Sequence, residues 1–313
     1  MKILVTGAAG FIGSHTAEYF AKQGHQVYGL DNFDAYYDLS LKKLNQEDIV
    51  KAGVHFIEAD LLDDLSLKLP RDFDYIFHYA AQPGISATTA LSEYVRNNIF
   101  ATQNLLEWVY TSSPDLKLFV NIATSSIYGK LATLPETAVP EPISFYGTTK
   151  LAAEQLVLGA HRDGKLPACS LRLYSVYGPR ERPEKLYTKL IKSIFEQKEF
   201  PLFKGSETHS RSFTYVGDIV DAMASVIGKE EHIKGEIINI GTDVTYTTGQ
   251  GIEFIEKIIG LKAKIEVCPP RPGDQLRTTA LIDKARKLLG YNPETTLEEG
   301  LMAQVKWYEE KFL

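Results

Sequence analysis

Seven short apolar runs, rich in β-branched and aromatic residues, constrain the fold of this chain more than any other feature. They occupy residues 3–5, 27–30, 54–57, 75–77, 118–120, 171–173 and 237–240. The segments between them are long enough for helical crossovers, which is the connection that parallel strands require. A parallel sheet is covered by helices on both faces, so its strands read as continuous apolar stretches and not as an alternation. The pattern predicts an α/β fold, a doubly wound parallel sheet of Rossmann type. Helices are expected near 11–22, 93–110, 147–162, 184–198, 216–228, 248–259 and 296–311. Asn97 and Asn98 stand inside the second of these, an unusual place because Asn competes for backbone hydrogen bonds. Beyond about residue 171 the rhythm loosens and Pro179, Pro183, Pro201, Pro269, Pro270, Pro272 and Pro293 punctuate loops. We read residues 1–170 as a dinucleotide-binding domain, to which later segments return. Residues 171–313 are expected to form mainly a smaller C-terminal lobe that holds a substrate.

Composition narrows the partners. With 44% hydrophobic and 24% charged residues, the 313-residue chain has an ordinary globular makeup. A net charge of −6 argues against a nucleic-acid surface, which needs a concentrated Lys/Arg face. An anionic ligand must then be held by a few placed cations. Cys169 and Cys268 fit no metal spacing and are expected to be reduced small hydrophobes. No apolar run reaches the roughly 18 residues of a membrane span, and Met1-Lys2 leads straight into the first run with no signal peptide. A cytoplasmic location is the expectation.

The loop Gly7-Ala8-Ala9-Gly10-Phe11-Ile12-Gly13 follows the first run and opens the first helix. Its glycines permit close approach of backbone to a ligand, and the helix start offers amides to a pyrophosphate. The second run ends at Leu30-Asp31-Asn32, placing Asp31 18 residues after Gly13. That is near the spacing of about 20 for an acid that binds an adenosine ribose, and an acid there favours NAD over NADP. Asp60 and Leu61, after the third run, are expected near the adenine, unless Asp60 merely caps its loop.

Tyr146 and Lys150 lie four apart at the start of a helix, on one face. The fifth run delivers Thr124 at its carboxyl end, where open α/β sheets place ligands. A hydroxyl, a phenol and an ammonium beside a nicotinamide make a coherent hydride-transfer site. With an unperturbed pKa near 10, the phenol needs positive charge from Lys150 and the oxidised ring to serve as a base near neutral pH.

These residues resemble the extended short-chain dehydrogenase/reductase family, in its nucleotide-sugar epimerase and dehydratase branch. The resemblance runs in order through the glycine loop, Asp31-Asn32, Ala80-Ala81, Asn98, Thr124, Tyr146 to Lys150, Gly178-Pro179-Arg180, residues 211–216, residues 271–274 and Leu289-Gly290-Tyr291. It implies bound NAD contacted by Ala80 and Ala81 as well as by the loop, and a catalytic trio of Thr124, Tyr146 and Lys150. It also implies that Asn98 positions the active site, and that a UDP-sugar lies in the cleft. Arg211 and Arg271 match the pyrophosphate contacts, Asp274 the ribose contact, and Phe203 could pack on the base. A homodimer through the helices near 93–110 and 147–162 is the family's usual assembly.

The resemblance also narrows the reaction. Dehydratases of this branch need an acid and a carboxylate after the Thr, and decarboxylases a Glu at the second position; here Ser125 and Ser126 stand there. Epimerisation at carbon 4 through a transient ketone remains. The segment Gly178-Pro179-Arg180-Glu181-Arg182-Pro183 resembles that of UDP-glucuronate 4-epimerases, in which the second Arg meets the sugar carboxylate. The 4-keto form of such a sugar is a β-keto acid, so Arg182, with Ser175, Ser125 and Ser126, is expected to hold the carboxylate out of the alignment for decarboxylation. Ser86, Glu184-Lys185 and Gly217 depart from that group, which leaves glucose-to-galactose epimerisation as the alternative. A non-catalytic NAD sensor is a further one, against which Tyr146 and Lys150 both speak.

Overall fold

A computed structural model describes residues 1–86, 88–269 and 277–313. The seven runs form one sheet. Six of its strands are β1 (Lys2–Thr6), β2 (Gln26–Asp31), β3 (His55–Glu58), β4 (Tyr75–His78), β5 (Leu118–Thr124) and β6 (Ala168–Leu173). Their order is β3-β2-β1-β4-β5-β6, and the strand Ile237–Ile240 adds to β6. Every pairing in the sheet is parallel. Alternate residues feed opposite faces: Ile3, Val5, Phe77 and Val120 enter one buried cluster, and Leu4, Ile76 and Phe119 the other. Both faces are therefore dry, which is why the runs are continuous.

The helices that set the site are α1 (Phe11–Lys22), α2 (Leu39–Lys51), α3 (Leu91–Tyr94), α4 (Ala101–Ser112) and α5 (Phe145–Arg162). The helix α2 was not expected. Its sequence is mostly polar, and only Lys42, Asn45 and Ile49 are buried, so no apolar stripe announces it. Its one local signal is Asp38, whose carboxylate accepts the Ser40 amide as an N-cap. The helix expected at 93–110 is also interrupted. Residues Val95–Phe100 form a π-helical turn between α3 and α4, and the Asn pair sits inside it. A widened turn releases backbone groups and re-aims side chains. Here Asn98 Oδ1 accepts the Gln82 amide at 2.7 Å, and its Nδ2 donates to Thr149 Oγ1 at 2.9 Å.

A third cluster joins Tyr177, Tyr187, Leu190, Phe213, Ile255 and Leu301 from the later half of the chain. Residues Ala280, Ile282, Ala285 and Leu289, by contrast, pack with the sheet cluster. The strands Glu199–Phe203 and Lys264–Cys268 pair in parallel beside the third cluster, which Phe200 enters.

Candidate active site

The register aligns Thr6 with His78, His78 with Asn121 and Thr124 with Leu173, so at the carboxyl edge of the sheet β5 and β6 run three residues beyond the ends of β1 and β4. A cleft of about 1010 Å³ opens there and continues into the later half of the chain. Every described residue expected from the sequence to serve in catalysis or to touch cofactor or substrate lines it, except Asn98. Asn98 is fully buried behind it and ties the Gln82 turn to α5. Arg271 and Asp274 lie outside the described residues.

At the glycine loop, a Cβ on Gly13 would stand 2.3 Å from the Gly7 carbonyl oxygen, and one on Gly7, at φ +70, 2.8 Å from the Ala80 nitrogen. Glycine is what lets loop, helix and strand end come together. No side chain caps α1, which leaves its first-turn amides for an anion. The Asp31 carboxylate accepts the amides of Ala9 (3.1 Å) and Phe33 (2.9 Å) and pairs with Lys42 Nζ (3.3 Å). A carboxylate offers about four acceptor positions, so one remains for a sugar hydroxyl. The donor set therefore fits a dinucleotide. Asp60 accepts from Leu62, Asn32 and Arg96. Burial alone would raise its pKa, but these bonds hold it below the usual carboxylate range. It thus caps its loop while lining the cleft.

The Thr124 hydroxyl, at the end of β5, accepts the Ser126 amide at 3.2 Å. Ser144 caps α5 through the Gly147 amide. A Cβ on Gly147 would lie 2.6 Å from the Ser126 carbonyl oxygen, so glycine lets the first turn of α5 press against Ser125 and Ser126. That contact brings Tyr146 to Thr124. Burial raises the phenol pKa above its ordinary value; a hydrogen bond from Thr124 and the charge of Arg182 are the main influences that oppose the rise. Lys150 stands one turn along α5 from Tyr146. It is buried itself, which pulls its ammonium down to about 8, and Glu154, one turn further along α5, opposes that fall.

Glu154 belongs to a polar network that sequence reasoning missed. It binds Arg172 through two bonds (3.0 and 2.6 Å) and Ser170 at 2.9 Å, with both members of the ion pair fully buried. The Arg172 guanidinium lies 4.8 Å from the Tyr128 ring, whose hydroxyl donates to Asn239 at 2.9 Å. The only sequence signal was a charge inside an apolar strand. Arg180, also buried, pairs with Glu18 and Asp48 at 2.6 and 3.2 Å and docks its loop on α1 and α2. Arg182 lines the cleft and pairs with Glu184 at 2.9 Å. Ser175 (φ +30), Phe203 and Arg211 complete the far wall. Tyr36, Tyr37, Lys42 and Lys185 also line it, though sequence reasoning assigned none of them a contact.

Three buried groups set an acid response. Burial pulls His78, bonded to Thr6 and Thr102, down to about 3, and His15, bonded to the Pro179 carbonyl, to about 4. Burial pushes Glu181 up to about 7. On unfolding, each histidine regains an ordinary pKa near 6.5 and takes up a proton, so stability falls as pH drops below that value. Glu181 acts oppositely, since between pH 7 and about 4.3 it holds a proton only when folded. The net loss is expected to be at most about 1.4 kcal/mol per pH unit from pH 6.5 to about 4 and to fade below, as the folded histidines take up protons in turn. Urea midpoints at about pH 7, 5.5 and 4 would show this, and a flat profile would contradict it.

Comparison with known proteins places this geometry. The family model described as the NAD dependent epimerase/dehydratase family matches residues 3–241. A Bacillus subtilis (strain 168) protein described as an uncharacterized UDP-glucose epimerase is 38% identical over 312 residues, covering 98% of each chain. UDP-glucuronate 4-epimerase 3 of Arabidopsis thaliana is 33% identical over 327 residues, 98% of this chain and 76% of that one. A solved structure of UDP-glucuronic acid 4-epimerase from Bacillus cereus, in complex with UDP-glucuronic acid and NAD, has a TM-score of 0.93 and 38% identity over the whole of both chains. The match of the family model over most of the chain, with relatives this similar along nearly its whole length, shows that this chain belongs to the NAD-dependent epimerase/dehydratase family.

Proposed function

We propose that the protein is an NAD-dependent 4-epimerase that interconverts UDP-glucuronate and UDP-galacturonate. The observation that carries this reading is that Arg182 lines the same cleft as the Tyr146 phenol, on whose ionisation its charge acts. In a hexuronate the carboxyl carbon is bonded to the neighbour of carbon 4. A guanidinium in the cleft of the base therefore matches a carboxylate near the hydroxyl to be oxidised. The solved relative with UDP-glucuronic acid and NAD supports it.

In this reading the Gly7–Gly13 amides hold the cofactor pyrophosphate and Asp31 its ribose, with Lys150 and Ala80 and Ala81 along the cofactor. Bound NAD would supply the acceptor, and later the donor, of the carbon-4 hydride, and in its oxidised form a positive charge near the phenol. Tyr146 Oη takes the carbon-4 hydroxyl proton and returns it once the ketone has shown its other face; Thr124 orients that hydroxyl. Arg211, with Arg271, holds the diphosphate, Asp274 the nucleoside ribose and Phe203 the base. Residues 1–170 and 171–313 divide these tasks between cofactor and sugar nucleotide. A homodimer in the cytoplasm completes the proposal. Exposed Phe100 and Phe145 and half-buried Val95, Ile99, Leu151 and Leu156 support that contact, whereas Leu105 and Leu106 belong to the core.

Incubation with UDP-glucuronate and with UDP-glucose, followed by separation of 4-epimers, tests the reading. Arg182→Leu is expected to lower kcat/KM for the uronate about 100-fold, as loss of a charged hydrogen-bond partner would, and to affect UDP-glucose far less. Equal losses would overturn the assignment. A second reading, epimerisation of UDP-glucose, is favoured by the Glu184 carboxylate already beside Arg182.

A further inference from the structure

Arg182 is surrounded on three sides within the cleft. Its guanidinium carbon is 5.6 Å from the Tyr36 ring centre, and its Nη2 lies 3.1 Å from where a Gly84 Cβ would stand. On the third side Nη1 is 2.9 Å from Glu184 Oε1. This is a contact of charges and not an aligned hydrogen bond, because Nη1 is buried without a hydrogen-bond partner among the described residues. The two partners are unequally held: the Arg182 side chain is 11% exposed and that of Glu184 44%. Glu184 is the half that can leave.

Lys185, next along the chain, lines the same cleft and is open to it. Its ammonium has no ion-pair or hydrogen-bond partner among the described residues. Desolvation by the surrounding cleft walls and the like charge of Arg182 push its pKa below the usual range, while Glu181 and Glu184 oppose that fall. Glu181 is engaged by Thr188 and Gln304, both at 3.0 Å. Glu184 is therefore the acid free to approach Lys185.

We propose that Glu184 is a displaceable counter-ion: a substrate carboxylate takes the Arg182 fork bidentately, and Glu184 transfers from Arg182 to Lys185. The inference rests on the uronate reading above and names the residues that set its specificity. Before binding, two cations share one anion. After the exchange each cation has its own, so the arriving carboxylate strands no charge. The bidentate fork is also better aligned than the contact it replaces. A neutral hexose brings no anion and leaves Glu184 where it is.

The test is calorimetric titration of the NAD-loaded protein with UDP-glucuronate and with UDP-glucose. Both ligands carry the same nucleotide and diphosphate, so the ratio of their Kd values isolates the carboxylate. Glu184→Gln is expected to shift that ratio about fivefold toward the uronate, the size expected for removing a partly exposed competing ion pair. Lys185→Met is expected to shift it about threefold the other way while Glu184 is present, and not at all in the Glu184→Gln background. An unchanged ratio in Glu184→Gln, or additive effects of the two substitutions, would overturn the counter-ion role. Absence of any 4-epimer from UDP-glucuronate with the parent protein would instead overturn the epimerase reading, whatever the ratio.

Discussion

Tyr146→Phe is expected to lower UDP-glucuronate turnover about 10³- to 10⁴-fold, the upper range for loss of a positioned acid–base group. The fold is expected to survive, because the ring keeps its place 6.3 Å from Tyr94. Only the proton acceptor is removed, and the Thr124 hydroxyl beside it is too weak a base to replace it. Since both directions of the reaction use the same oxygen, interconversion should fall equally from either epimer. Initial rates from separated 4-epimers decide the matter. A rate like that of the parent would remove Tyr146 from the chemistry. In this structure burial raises the phenol pKa, and the Thr124 hydrogen bond and the charge of Arg182 oppose the rise. Lys150, buried one turn further along α5, has its own ammonium drawn down, with Glu154 opposing that fall.

The second large effect is on stability. Arg172→Met should cost about 3–5 kcal/mol, because it strands the Glu154 carboxylate in a dry interior with only Ser170 as donor. Adding Glu154→Gln should recover most of the loss, since replacing both members of a buried pair is often nearly neutral. Urea unfolding with unchanged slope would read both values. A single substitution costing less than about 1 kcal/mol would show that Glu154 finds water or a proton without difficulty. The network also reaches the site, because Glu154 and Lys150 share one face of α5.

Much of the fold was legible because it rests on local pattern. A strand buried on both faces must be apolar throughout, and seven such runs appear as seven parallel strands. The helices Phe11–Lys22 and Thr248–Ile259 begin and end where their sequences indicate; Thr247 caps the second through a reciprocal pair with Gln250. The helix α2 was illegible because a polar helix held by Lys42, Asn45 and Ile49 has no periodic stripe. The turn Val95–Phe100 announced itself only as a misplaced Asn pair, and its purpose required knowing that Gln82 and Thr149 lie on either side.

The sequence by itself determined the sheet, the glycine loop at its carboxyl edge and the residue types that gather there, since these depend on spacing of two, three or four residues along one chain. Only the tertiary structure decided which charges meet: Glu154 with Arg172, Arg180 with Glu18 and Asp48, and Arg182 with Glu184 in the cleft that Tyr146 lines. Coulomb energy depends on separation in space and on the water between charges, and neither quantity is written in the order of residues.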